Sequence, residues 1–546
     1  MRPSPQGTMA FLDLYRRRVG GLIAALLVAN LVVVVKHVEQ PATRAQGVHL
    51  ADGSPVQDPG AKVQVAPGGS AVPTVKKLPA KIDSHGDNLN AGVGGYKPGS
   101  FVPGLGHIPK GIYGNKIRVV YYWKGDQAME SSKFLKDTGQ QGNLDEYEAF
   151  LHLVQYINKH ANGGATFMGF PFNLHGRTIE PVERIAGKES QNGAAVEDIV
   201  KTDKPFAAVS SHGSMSDFMC PPIAAAGIFN FGTYDLGGVD ASGHPATLAE
   251  RTNGYCVPQA TSFETQVEMT IHYLKWQQAN VPYQSASGAV ERKYGFIYSD
   301  YPGLRDIGER LIKRFKSAGI NVVDHQEFDH NTEAQASAEP NVINRFRTNE
   351  VNTIIAPDSG TPLTFTHAAA ANAFTPDWYV WPCSGEDATG MVRLYDASEW
   401  AHASGLTCYD PEWNSDLTND RLARSTEWYR QYQEMAPGHE PPAPTPLVYQ
   451  SMLPMLVGLT NGGRELTLEG FISGMKAFQP YRYSAVHGKT TNPKYMRVMV
   501  GRQDLVDDVA KTYWDPTATP EGSNAGDAKG RYVYPEAVRH TRNYEY

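Results

Sequence analysis

Several short stretches hold the residues best suited to chemistry: Trp123–Asp126, Ser211–Ser214, Gly232–Tyr234, Ser299–Tyr301, Pro357–Gly360 and Ser384–Asp387. Ser211-His212-Gly213-Ser214, with Asp217 close behind, offers the residue types of a nucleophilic triad. A triad is a spatial arrangement, and neighbours in sequence do not make one. The chain reads GSMSD there, where a hydrolase elbow would read G-x-S-x-G, so an exported hydrolase is the weakest reading kept. No G-x-x-x-x-G-K-[ST] loop, H-E-x-x-H helix or G-x-G-x-x-G after a strand occurs, so neither cofactor nor metal is expected. The stretches share Gly, Ser, Thr and aromatic residues, with Asp300, Asp358, Ser359, Ser384 and Glu386 among them. Such groups hydrogen-bond a small polar solute. Each also has a structural alternative. Trp123 can pack a strand end, Ser211 and Ser214 can cap a helix, and Asp358 and Glu386 can be solvated surface carboxylates.

Most of these stretches follow an apolar, β-branched or aromatic run of the kind that forms a buried strand. KIRVVYYW precedes Trp123–Asp126, FAAVS precedes Ser211, IFNF precedes Gly232, and KYGFIY, VNTIIA and WYVW precede the later ones. Amphipathic helical patterns lie between them, over 143–159 with Asn143 as its cap, 263–278, 303–317, 341–347 and 362–374. Further helices are expected over 417–435, 447–459 and 468–478. The alternation predicts an α/β protein of two doubly wound parallel-sheet lobes joined by a hinge. In such sheets ligands bind beyond the carboxyl ends of the strands, where the polar stretches fall. Two lobes facing through those loops form a cleft that can close on a solute.

The body has an attachment. Residues 19–35 (VGGLIAALLVANLVVVV) carry one polar side chain, Asn30, and follow Arg16, Arg17 and Arg18. A helix of that length spans ~26 Å, near the short limit for a bilayer core. The basic flank places the N-terminus in the cytoplasm and exports the rest. An uncleaved anchor fits the length better than a signal peptide, since no clean A-x-A follows. If cleaved, the protein would be secreted. A Pro/Gly-rich linker follows, so the expected domains are a cytoplasmic segment 1–18, an anchor or signal segment 19–36 and a disordered linker 37–112. Beyond these come lobe one over 113–285, with a return of about 408–482, and lobe two over 290–405, with part of about 483–515. A tail of 516–546 closes the chain.

With 546 residues, 41% hydrophobic, the chain can bury a large core, and its length implies more than one domain. A net charge of -7 with 20% charged residues lacks the basic footprint of a nucleic-acid binder. Cys220, Cys256, Cys383 and Cys408 all lie on the exported side, where disulfides form. Four cysteines allow three pairings, and nearest-in-sequence pairing gives Cys220–Cys256 and Cys383–Cys408. No C-x-x-C favours zinc or thiol redox chemistry.

The order KIRVVYYW, YEAFLHLVQYINKH, AAVSSHGSMS, IAAAGIFNFGTYD, KYGFIYSDYPGLRDIGERLIKRFKSAGINVV and VNTIIAPDSGTPLTFTHAAAAN resembles the type 1 periplasmic-binding-protein fold. Within it the chain is similar to the branched-chain-amino-acid-binding (Leu/Ile/Val) family of ABC-transporter receptors over roughly 114–478. The tail TYWDPTATPEG is similar to that of actinobacterial members. The resemblance implies a first-lobe carboxylate site on Ser211, Gly213 and Ser214 and on Gly232, Thr233 and Tyr234. It implies an aromatic lid at Tyr301, and it places Cys383 where the family carries the acidic partner of a ligand ammonium. Glu386, Asp387 and Asp358 are the nearby acids, which puts amino-acid specificity in question. The expected function is therefore an extracytoplasmic solute-binding protein, not an enzyme. It would pass an amino acid or related carboxylate or amide to an ABC permease. The alternative is a membrane-anchored sensory or structural surface protein of the same fold.

Overall fold

The computed structural model describes residues 101–541 apart from 103–105, 125–144, 187–191, 211–218, 234, 236, 241, 243, 245, 300–303, 329–331, 359, 412–423, 443, 501–503, 520–528 and 537. The anchor or signal segment 19–36 and most of the linker lie outside the described residues. No helix among the described residues is long and apolar enough to cross a membrane.

The first sheet comprises β1 (Ile112–Tyr113), β2 (Lys116–Lys124), β3 (Thr178–Ala186), β4 (Ala207–Val209), β5 (Phe229–Thr233) and β6 (Cys256–Pro258). Its parallel strands run in the order β3-β2-β4-β5-β6, with β1 a short antiparallel addition to β2. Central strands buried on both faces read as unbroken apolar runs. Accordingly Val119 to Tyr122 and Ala207 to Val209 are fully buried. The edge strand β3 reads TIEPVERIA, with charges and Pro181 inside it. A proline and polar alternation are tolerated where one edge has no ladder partner.

The second sheet comprises β7 (Tyr294–Ser299), β8 (Val322–Phe328), β9 (Thr353–Ile355), β10 (Asp377–Val380) and β11 (Ala403–Thr407), all parallel, in the order β8-β7-β9-β10-β11. Both halves thus place the second strand outside the first and then run outward on the other side. The topological switch point lies between β2 and β4 in one lobe and between β7 and β9 in the other. A three-stranded antiparallel sheet of β12 (Tyr481–Ser484), β13 (Gly488–Thr490) and β14 (Met496–Val498), with β12 at its centre, precedes β15 (Asp508–Asp515), β16 (Arg531–Val533) and β17 (Arg539–Thr541). Strand β15 adds antiparallel to β11, and β16 and β17 pair with β15. The second sheet is therefore mixed rather than wholly parallel, and 531–541 is a working part of it rather than a tail.

The long helices are α1 (Glu146–Lys159), α2 (Phe263–Asn280), α3 (Leu304–Ser317), α4 (Thr332–Thr348), α5 (Gly360–Ala371), α6 (Glu427–Met435), α7 (Thr445–Asn461) and α8 (Leu468–Lys476). Helix α1 is capped by Asp145, whose carboxylate accepts from the Glu148 amide at 2.8 Å, not by the expected Asn143, which lies outside the described residues. The burial of Ala149, Phe150, Leu153, Val154 and Ile157 follows its apolar stripe. Helices α6 and α7 return to the first lobe, where α7 packs on β5 and α1. Helix α2, expected in the first lobe, belongs to the second. Its Thr270 accepts from the Tyr379 hydroxyl at 3.0 Å, and Gln266 accepts from the Trp381 indole at 2.8 Å. Tyr379 and Trp381 are almost wholly buried against this face, while Trp378 is buried in the other core cluster, where its indole donates to Glu399. Burying each such ring contributes ~2–3 kcal/mol.

The lobes are joined by crossovers after β6, after β11 and before β15. The first and third run side by side. Leu505 donates to the Ala260 carbonyl at 3.0 Å, the Thr261 hydroxyl to Val506 at 2.5 Å, and the Ser262 amide to Asp504 at 2.6 Å. Residues expected as the end of the linker also join the body. Ile108 and Ile112 are buried, and His107 meets Glu469 of α8.

Candidate functional site

Parallel strands with a common direction deliver their carboxyl ends to one edge of each sheet. In the first lobe that edge carries Trp123, Ser210, Gly232, Thr233 and Gln259. Gly232 has φ +85, in the left-handed region, and a Cβ there would lie 1.9 Å from the Ser210 carbonyl oxygen and 2.6 Å from the Ser451 hydroxyl. Only glycine lets β5 pass so close to β4 and α7. Thr233 is 1% exposed, and its hydroxyl has no hydrogen-bond partner among the described residues. Next to it, the Gln259 amide N–H donates to the Thr233 carbonyl at 3.0 Å. Trp123 stands apart from this group: its indole donates to Glu183 of the edge strand β3 at 2.9 Å.

In the second lobe the edge carries Asp358, Ser384, Glu386 and Asp387. Asp358 accepts from the amide and hydroxyl of Thr361, each at 2.8 Å, and so caps the start of α5. Ser384 donates to the Trp381 carbonyl at 3.0 Å. Glu386 is wholly buried; one oxygen accepts from the Trp381 amide at 2.8 Å and the other has no partner among the described residues. Burial pushes its carboxyl well above the usual range, and the negative charges of Asp358 and Asp387 add to this. Asp387 accepts from the amides of Cys383 and Cys408 at 2.9 and 3.1 Å. Burial nevertheless raises it to about 6, against the lowering effect of those bonds. Glu386 is therefore not the solvated surface carboxylate of the alternative reading, and Asp387 is buried beside it.

Disulfides join Cys220 to Cys256 and Cys383 to Cys408. One bridge thus stands in each lobe, the first between β6 and the helix at Cys220–Ala225, the second between the ends of β10 and β11. Cys383 is bridged and 4% exposed, with φ 60.

Of the residues expected to bind, Gly232 and Thr233 come together on the first lobe, and Asp358, Ser384 and Glu386 on the second. Ser211, Gly213, Ser214, Tyr234, Asp300, Tyr301 and Ser359 lie outside the described residues. The sequence reading passed over Ser210, Gln259 and Ser451. Only the position of Gln259, one residue past an apolar triplet, could have flagged it. Among the described residues no group of His, Cys, Asp and Glu is arranged to hold a metal ion.

A family model described as "Periplasmic binding protein" matches residues 146–498, well over half of the chain. Similar solved structures include a solute-binding protein of an ABC transporter from R. palustris in complex with 4-hydroxybenzoate. It is 12% identical at TM-score 0.48, with 79% of this chain and 98% of that chain covered. An ABC transporter substrate-binding protein from Desulfitobacterium hafniense in complex with Leu is 12% identical at TM-score 0.45, covering 77% of this chain and 99% of its own. One from Sphaerobacter thermophilus is 12% identical at TM-score 0.49, covering 78% and 98%. No curated protein matches the sequence. The chain belongs to the periplasmic binding protein family, as a solute-binding protein and not an enzyme.

Proposed function

We propose that the protein is an extracytoplasmic receptor that closes its two lobes on a small polar solute and hands it to an ABC-type permease. The solute is an amino acid or a related carboxylate or amide. The observation that carries this reading is the buried, unpartnered Thr233 hydroxyl beside Gly232 at the carboxyl edge of the first sheet. A hydroxyl shut away from water without a partner costs stability, and a ligand oxygen would relieve that cost. Only the closed form lets both lobes touch the solute, so binding shifts an open–closed equilibrium. Trp123, Ser211, Gly213, Ser214, Tyr234, Asp300, Tyr301, Asp358, Ser359, Ser384 and Glu386 complete the proposed ligand set.

Leucine and 4-hydroxybenzoate, the ligands of two similar structures, are suitable first probes. Amino-acid specificity of the branched-chain type and aromatic-acid specificity are both compatible with a hydroxyl facing a carboxylate. The segment 19–36 holds the receptor to the membrane, with the residues that follow as a tether. A thermal-shift screen of the exported body with amino acids, amides, polyamines and aromatic acids tests the proposal. A multi-degree rise for one chemical class supports it. Silence across the panel favours the surface protein that keeps the fold without transport.

A further inference from the structure

The first crossover is rich in polar side chains, and its inner ones are almost all satisfied within the protein. The Thr261 hydroxyl donates to Val506, the Ser262 hydroxyl to Thr265, and the Thr265 hydroxyl to Asp504. The Gln266 amide donates to Thr261 and accepts from Trp381. On α7, the neighbouring Gln450 amide donates to the Gln259 carbonyl at 2.8 Å. Gln259 itself differs. It is 6% exposed, and its Nε2 has no hydrogen-bond partner among the described residues. Its backbone is bonded to Thr233, the other buried polar side chain without a partner at this edge.

Among the described residues two unpartnered donors therefore lie where adjacent parallel strands end, Thr233 as the last residue of β5, in register with Pro258, and Gln259 just past β6. Buried donors without acceptors are rare in folded proteins, and two at the ends of neighbouring strands suit an acceptor brought by a ligand. The pair is uncharged, which suits an anionic group held by hydrogen bonds rather than by a counter-charge. We infer that Gln259 is a ligand-binding residue that donates, together with Thr233, to a carboxylate of the bound solute. This rests on the solute-receptor reading. Gln259 also opens the crossover that Ala260 and Thr261 tie to Leu505 and Val506. A solute held there sits at the base of the hinge.

The variant Gln259→Met keeps the side-chain length and removes the donor. Without ligand, its unfolding midpoint should equal or exceed that of the wild type, because an apolar isostere no longer buries an unpartnered amide. With the carboxylate probe that shifts the wild type most, its affinity should fall about tenfold or more. Gln259→Glu should lose binding at neutral pH and regain part of it as the pH falls through the carboxylate range. The inference is overturned if Gln259→Met binds as tightly as wild type. It is equally overturned if the ligand-free midpoint of Gln259→Met drops by several degrees, since the amide would then have a partner inside the protein. Failure of every probe on the wild type removes the receptor reading, and this inference with it. Unchanged binding in Gln259→Met removes this inference alone.

Discussion

At the carboxyl edge of the first sheet Ser210, Thr233 and Gln259 are neutral, and two of them, Thr233 and Gln259, have side-chain groups that lack partners among the described residues. At the corresponding edge of the second sheet the groups are acidic and mostly occupied with the protein's own backbone. Asp358 caps a helix, Glu386 holds the Trp381 amide, and Asp387 holds two amides beside a disulfide. The two edges share strand order and direction, so their difference comes from loop chemistry alone. On the proposed function the first receives an acceptor from the solute, whereas the second is built around buried carboxyls that burial holds above the usual carboxylate range. One fold repeated twice has yielded a donor jaw and an acid jaw.

The largest effects on the two edges are expected from the disulfides, one per lobe. Removing Cys220–Cys256 or Cys383–Cys408 by paired serine substitution should cost ~3–4 kcal/mol each in denaturant unfolding. The first should cost slightly more, because its sequence separation is 36 against 25. Equal insensitivity of both lobes would show that the bridges do not restrain the edges.

Next comes pH. Asp387 is raised from 3.8 to about 6 by burial, so the folded state binds its proton more tightly than the unfolded chain. Its stabilising contribution is full below pH 3.8 and is lost as the pH rises through about 6. That amounts to at most about 3 kcal/mol. Between pH 7 and pH 5 the wild type should gain stability relative to Asp387→Asn, measured by chemical denaturation. A flat difference would mean that Asp387 does not titrate in this window. No titrating acid stands at the first edge among Ser210, Gly232, Thr233 and Gln259, so Thr233→Val should leave the pH profile unchanged.

Gly232→Ala should destabilise the protein by about 2 kcal/mol or more, because both the φ of +85 and the Ser210 carbonyl oppose a methyl group. Unfolding and ligand titration of this variant read the first edge alone. The smallest effect is expected from Asp358→Ala, about 1 kcal/mol for a lost helix cap. If that substitution also abolishes binding at unchanged stability, the second edge does more than hold its own backbone.

The central strands of both sheets were legible because both faces are buried. KIRVVYYW and KYGFIY have no polar face to obscure them. The edge strand Thr178–Ala186 was not, since its charges and Pro181 suit a strand with one free edge but read locally as loop. Strands 531–533 and 539–541 were missed because their partner, Asp508–Asp515, is distant in sequence and short strands carry little periodicity of their own. The placement of Gly232 and Thr233 after IFNF was legible as a strand end. That the Glu386 and Asp387 carboxyls turn inward, and that Gln259 lacks a partner, depends on contacts between segments far apart in the chain.

On the proposed function a solute bridges the two carboxyl edges and draws the lobes together. Small-angle X-ray scattering of the exported body, with and without the compound giving the largest thermal shift, tests it most directly. The radius of gyration should be smaller with the compound present, with no such change in Thr233→Val at the same concentration. Tight binding with an unchanged radius would contradict it.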